Sequence, residues 1–204
     1  MVKIKTKVVS TFLFVLLFLF ASPCFSIVSY TIKLQMQPMF VHSNDFYIKK
    51  VLDGRSDRSN IGFIQAGVTN YQVPACLDGN LVEVLQTYFN LSFPVDNGKT
   101  PIIIVIDRLR ISEREQFSGE YARAEIKMEF FKTVDSKVGK VFATETFSDI
   151  RSSWDVTKYH EENIRNAIEK CLASFIQSNW NSVEVNWKDE STFESILDRT
   201  QVFF

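Results

Sequence analysis

The sequence predicts an α+β fold, a two-layer sandwich whose mainly antiparallel sheet of about five strands carries two helices on one face. Three observations predict it. Residues 121–133 alternate between apolar and charged, and a turn then leads into a returning strand. Residues 102–106 are an unbroken β-branched run, and two segments repeat apolar residues at helical spacing. The element order reads β-β-α-β-β-β-α.

The first strand is Tyr30–Gln37, where Ile32, Leu34 and Met36 alternate with polar neighbours before Pro38. Phe46–Leu52 is the second, and it runs into the polar, turn-forming stretch Asp53-Gly54-Arg55-Ser56-Asp57-Arg58-Ser59-Asn60. Ile61–Gln65 reads as a short strand or an extended loop. A helix over Leu77–Leu91 places Leu77, Leu81, Val84, Leu85 and Tyr88 on one face, with Asp78 or Asn80 available as its cap.

Pro101 opens Ile102-Ile103-Ile104-Val105-Ile106, the signature of a central strand covered on both faces. In Tyr121–Thr133, Ala122, Ala124, Ile126, Met128 and Phe130 point one way and Arg123, Glu125, Lys127 and Glu129 the other. Phe131 falls on the polar side, which makes it an expected exposed aromatic. Residues 135–139 turn, and Val141–Asp149 returns to close a hairpin. A helix from about Thr157 to Asn179 carries the stripe Ile164, Ala167, Ile168, Cys171, Leu172, Phe175 and Ile176. Glu161 and Glu162 sit in its first turn, where the helix dipole favours acids, and Glu161 can pair with Arg165. Beyond Trp180 the pattern weakens, although Trp187, Phe193, Ile196 and Leu197 predict a short packed segment or helix. The organisation is therefore residues 27–180 as one α+β domain, with 181–204 as a partly packed C-terminal extension.

Residues 1–26 read as a secretory signal peptide. Lys3, Lys5 and Lys7 precede an almost unbroken apolar run from Val8 to Ala21, and small residues follow at Ala21-Ser22-Pro23-Cys24-Phe25-Ser26. The run is shorter than the roughly 20 apolar residues that span a bilayer, so a membrane anchor is disfavoured. Cleavage is expected after Ser26, with Cys24 as the nearest competitor. Lipidation at Cys24 is the minor alternative, because Pro23 stands where a lipobox wants a small residue. No transmembrane span is expected after the signal is removed.

The formal net charge is −1, and loss of the three signal lysines leaves the mature chain near −4. A mildly acidic chain without a clustered basic face gives no case for nucleic acid as a partner. Cys76 and Cys171 survive processing; two buried thiols are favoured over a bridge.

The motifs of common chemistries are missing from the sequence. There are two histidines, His42 and His160, both expected to be exposed and without a ligand role, and neither belongs to a His-x-x-x-His or Cys-x-x-Cys pair. No nucleophile elbow, dinucleotide fingerprint or Walker loop occurs, so no catalytic residue, metal ligand or cofactor is assigned. The polar cluster Asp53, Arg55, Asp57 and Arg58 is the candidate ligand- or partner-binding site, since paired Asp and Arg at a strand end can hold a charged group. The alternative is a hydrogen-bonded turn in which Asp53 ties down the loop and Arg55 forms an ion pair. A carboxylate-dependent hydrolase at the same loop is the competing function, and it requires converging carboxylates, one of them with a raised pKa.

Asp53-Gly54-Arg55 at a strand end, Ile61-Gly62 close behind it, then a helix, a meander and a long C-terminal helix resemble the small bacterial envelope lipoproteins of the YajG-like group and the auxiliary lipoproteins of ABC-type transporters. The likeness spans roughly Phe46–Trp180. It implies a non-enzymatic exported accessory or binding module of the cell envelope, in the periplasm or outer envelope of a bacterium, with an envelope protein complex as partner. It implies no catalytic residues.

Overall fold

A computed structural model describes residues 29–67, 70–116, 119–152 and 155–199. The expected signal peptide and the last five residues lie outside these. The fold is α+β, as the periodicities predict, and the described residues form a curled five-stranded sheet, a small three-stranded sheet and three α-helices.

The main sheet has the order β2-β5-β6-β7-β8, where β2 is Phe46–Asp53, β5 Thr100–Gln116, β6 Gly119–Val134, β7 Lys137–Ser152 and β8 Lys188–Asp189. β2 runs parallel to β5, and every other pairing is antiparallel. β5 continues ten residues past Ile106, where the apolar run stops. Leu109 and Ile111 keep an inward alternation there, and pairing with β6 holds the charged residues between them in the strand.

The small sheet has the order β1-β4-β3, from Tyr30–Ile32, Tyr71–Leu77 and Phe63–Ala66. β4 corrects the expected start of the first helix, since Leu77 ends a strand. Val73, Ala75 and Leu77 alternate inward, but Pro74 conceals the pattern. β1 begins only at the register of Ala75, so the N–H that Pro74 lacks faces no partner strand. The small sheet joins the main one at Gly62, which bridges Ile111, while Ile111 N donates to Ile61 O at 2.6 Å. Gly62 has φ +121°, and a Cβ there would lie 2.1 Å from Ile111 O, so the junction needs glycine.

Helix α1 (Leu81–Asn90) is capped by Asn80, whose Oδ1 accepts from Val82 N at 2.9 Å. Helix α2 (His160–Gln177) follows a 3-10 turn at Thr157–Tyr159. Both bury their apolar stripes against the same sheet face. Leu85, Tyr88 and Phe89 of α1 and Ile164, Ile168 and Phe175 of α2 share a core with Ile102, Ile104, Ile126 and Phe130. Phe130 and Phe175 stack with ring centroids 4.2 Å apart. Glu161 and Arg165 pair at 2.6 Å, as their spacing predicts.

The opposite face is covered at one end by helix α3 (Glu190–Arg199). Ile103, Val105, Phe131 and Val138 form a second core there with Phe193 and Leu197. Phe131 is thus buried rather than exposed, with its ring 4.7 Å from that of Phe193. Alternation assigned Phe131 to the sheet's charged face correctly, but it could not say that α3 would lie over it.

Candidate functional site

β2 delivers the Asp53–Arg58 cluster, and β5 supplies its floor. Gly54 N donates to Ile106 O at 2.9 Å, which carries the parallel ladder one residue beyond Asp53. The chain then turns outward around a buried ion pair. Asp53 Oδ1 accepts from Arg55 N at 3.1 Å and from Arg55 Nε at 2.9 Å, and Oδ2 accepts from Arg55 Nη2 at 2.9 Å. Arg55 Nη1 reaches across the loop to Asn60 O at 3.0 Å. The side chains of Asp53 and Arg55 are only 9% and 8% exposed. Each is committed to the other, in the bidentate geometry that Arg and a carboxylate favour.

Asp57 and Arg58 behave differently. Asp57 is exposed, and its Oδ1 accepts from Ser59 N at 2.9 Å and Ser59 Oγ at 2.7 Å. Those bonds hold its carboxyl below the usual carboxylate range. Arg58 Nε lies 3.6 Å from Asp53 Oδ2, with its head half-exposed. The four residues therefore meet in one loop, with Asp53 and Arg55 locked together, Arg58 partly exposed against them and Asp57 exposed on Ser59.

The loop separates two grooves. One, of about 440 Å³, lies between Gly54–Asp57, Asn60–Phe63 and the β5 segment Asp107–Arg110. The other, of about 290 Å³, lies between Arg58–Ile61 and the end of β4 with the start of α1. The two carboxylates do not converge on either, since Asp53 turns to Arg55 and Asp57 to Ser59.

Sequence reasoning missed a second polar cluster. His160 is fully buried, not exposed, while His42 is exposed as expected. Glu113 projects inward from β5, and its Oε1 accepts from Thr157 Oγ1 at 2.8 Å and from His160 Nε2 at 2.9 Å. Its Oε2 accepts from Gln65 N at 2.5 Å. One carboxylate thus fastens β3, β5, the 3-10 turn and α2 together. The available signal was parity, because Glu113 continues the inward series Leu109, Ile111. An acid at an inward position demands donors. A carboxylate oriented on an imidazole is also how a general base is prepared, but this imidazole is sealed and both carboxylate oxygens are already engaged.

Cys76 and Cys171 are free. Cys171 lies in the α2 core beside Thr146, and burial pushes its thiol up to about 11; Cys76 is half-buried on β4. Among the described residues, no group of His, Cys, Asp and Glu could hold a metal, and no helix is long and apolar enough to cross a membrane.

No family model and no curated protein matches the sequence. Solved structures of similar course include an uncharacterized protein at 11% identity, covering 72% of this chain and 97% of its own, with a TM-score of 0.42. Another is a protein from Xanthomonas campestris, of family-model DUF330, at 13% identity, 76% and 95% coverage and a TM-score of 0.44.

Proposed function

We propose that the chain is a non-enzymatic, exported accessory or binding module of the bacterial cell envelope, which meets its ligand or partner on the loop Ser56–Asn60 and the two grooves beside it. The observation that carries this reading is the bidentate lock between Asp53 and Arg55. It ties Asp53 and Arg55 to each other in a rigid ridge and leaves Asp57 exposed and Arg58 partly exposed, with Arg58 Nε turned back to Asp53 Oδ2 and Arg55 O. A preorganised loop with accessible charges suits recognition, because little conformational freedom remains to be lost on binding.

The same lock weighs against a hydrolase at this loop. A general acid needs a carboxyl whose proton is retained near neutral pH, and Asp57 is shifted the opposite way. Export and envelope location rest on the basic, apolar and small-residue order of the first 26 residues, and on the resemblance to envelope lipoproteins.

Two measurements test the proposal. A photo-crosslinking residue at Ser56, activated in living cells, is expected to give one discrete adduct in the envelope fraction, while the same residue at Glu162 on α2 gives none. Equal adducts from both positions, or none from Ser56, would overturn the site. Mass spectrometry of the envelope fraction is expected to find a chain beginning at Ile27; a cytoplasmic chain that keeps residues 1–26 would overturn the location.

A further inference from the structure

Independently of that reading, we infer that residues 183–199 are a detachable strap, and that the apolar strip beneath α3 is a docking surface for an acidic amphipathic helix of a partner protein. Trp180 fixes the start of the strap, since it is buried in the main core. Residues 183–187, in neither helix nor strand, then pass Gly139 on β7. β8 pairs with Lys137 and Val138, and α3 follows on the sheet face opposite α1 and α2.

The contact between strap and sheet is separable from the rest of the fold. Ile103, Val105, Phe131 and Val138 are buried, while Phe193 and Leu197 above them are half-buried. None of these six belongs to the main core among the described residues. α3 can therefore lift without opening the core beneath α1 and α2, as a local unfolding unit does. Its cap travels with it, because Asp189 Oδ1 accepts from Ser191 N at 3.1 Å and Thr192 N at 3.2 Å. A helix of ten residues is too short to be stable alone in water, so the strip is what holds it.

Gly139 is the latch. A Cβ there would lie 1.7 Å from Val185 Cγ1, so the missing side chain makes room for the strap. Gly139 is not among the glycines with positive φ, and its strand conformation therefore does not call for glycine. A glycine inside a strand marks close approach of another segment, and here that segment is the strap.

The kind of helix that fits is read from the one in place. Lys49 Nζ pairs with Glu190 and Lys50 Nζ with Glu194, each at 2.7 Å. The two acids stand one helical turn apart, and Phe193 and Leu197 repeat that spacing, which gives two neighbouring stripes on α3. The strip thus recognises two apolar side chains beside two acids, with lysines supplying the complementary charge. A partner helix of this pattern meets the same complement, and α3 competes with it at the high effective concentration of a tethered segment. α3 is then an autoinhibitory occupant of the strip.

Hydrogen exchange of the purified chain is expected to show residues 192–198 exchanging about a hundredfold or more faster than the centre of β6, the mark of local opening. Lys49→Glu/Lys50→Glu should speed that exchange about tenfold and leave β6 unchanged, and adding Glu190→Lys/Glu194→Lys should restore it. Gly139→Val should speed it too, by displacing Val185. A fluorescent peptide of residues 186–199 should bind the Gly139→Val chain, and bind the unaltered chain about tenfold less tightly because tethered α3 competes. The same peptide carrying Glu190→Lys/Glu194→Lys should bind neither, and in the Lys49→Glu/Lys50→Glu chain the preference between the two peptides should reverse. Circular dichroism checks the fold, and the lysine variants keep both tests if Gly139→Val misfolds. Exchange of α3 only through global unfolding overturns the strap. A peptide that no chain binds, or equal binding of both peptides, overturns the docking surface. A two-copy mass for the Gly139→Val chain in light scattering overturns the partner helix and gives the strip to a second copy.

Discussion

The Glu113 carboxylate accepts from His160 Nε2 at 2.9 Å across 47 residues of sequence, and both side chains are buried. The contact joins the far half of β5 to the first turn of α2, and Gln65 N brings in the small sheet. Removing the charge should loosen all three at once. Glu113→Gln is expected to cost about 2 kcal/mol in chemical denaturation, the range for hydrogen bonds to a charged group. A change within experimental error would mean that the cluster contributes no stability.

The Asp53–Arg55 lock should be costlier to break, because truncating one partner leaves a buried charge uncompensated. Arg55→Ala is expected to destabilise by about 3–5 kcal/mol. Arg55→Lys should recover little, since a lysine cannot reproduce three bonds from one planar fork to Asp53 and Asn60. Full recovery by lysine would show that charge alone matters there.

Burial disfavours the thiolate of Cys171, whose pKa rises to about 11, and the thiolate is the reactive species. An alkylating reagent at pH 8 should therefore modify Cys76 alone in the folded processed chain, and both thiols after denaturation. Labelling of Cys171 at the same rate as Cys76 in the folded state would contradict its position in the α2 core.

Tyr88 yields a pH dependence with a definite sign. Its hydroxyl is buried near the Arg165 guanidinium, and burial, aided by the charge of Glu169 and opposed by Arg165, raises its pKa to about 12 from 10.0. The folded state therefore holds this proton more tightly than the unfolded chain. The associated stability is complete below pH 10.0 and is lost as pH rises toward about 12. Denaturation midpoints should fall across that window, and Tyr88→Phe should flatten the fall. An unchanged alkaline slope in Tyr88→Phe would assign the effect to another group.

Much of the architecture was legible because periodicity is a local property of the chain. The β6 alternation, the β-branched run of β5 and the α2 stripe each predicted which residues would be buried, and Ile126, Ile104 and Ile168 are. β4 was not legible, because Pro74 argues against a strand unless its neighbour's register is known. The second half of β5 was hidden because its apolar density falls while its parity does not. At the loop, composition brought Asp53, Arg55, Asp57 and Arg58 together, but it left open which of them face solvent.

The sequence by itself determined the α+β class, the two helices that share a sheet face, and the basic-apolar-small order of the first 26 residues. Each depends on spacing or composition within one short segment. Only the tertiary structure decided that Asp53 and Arg55 lock each other, that α3 covers Phe131, and that His160 is sealed against Glu113. Each of those outcomes depends on which distant backbone arrives beside a side chain. A buried polar group must find its hydrogen-bond partner there, wherever along the chain that partner comes from.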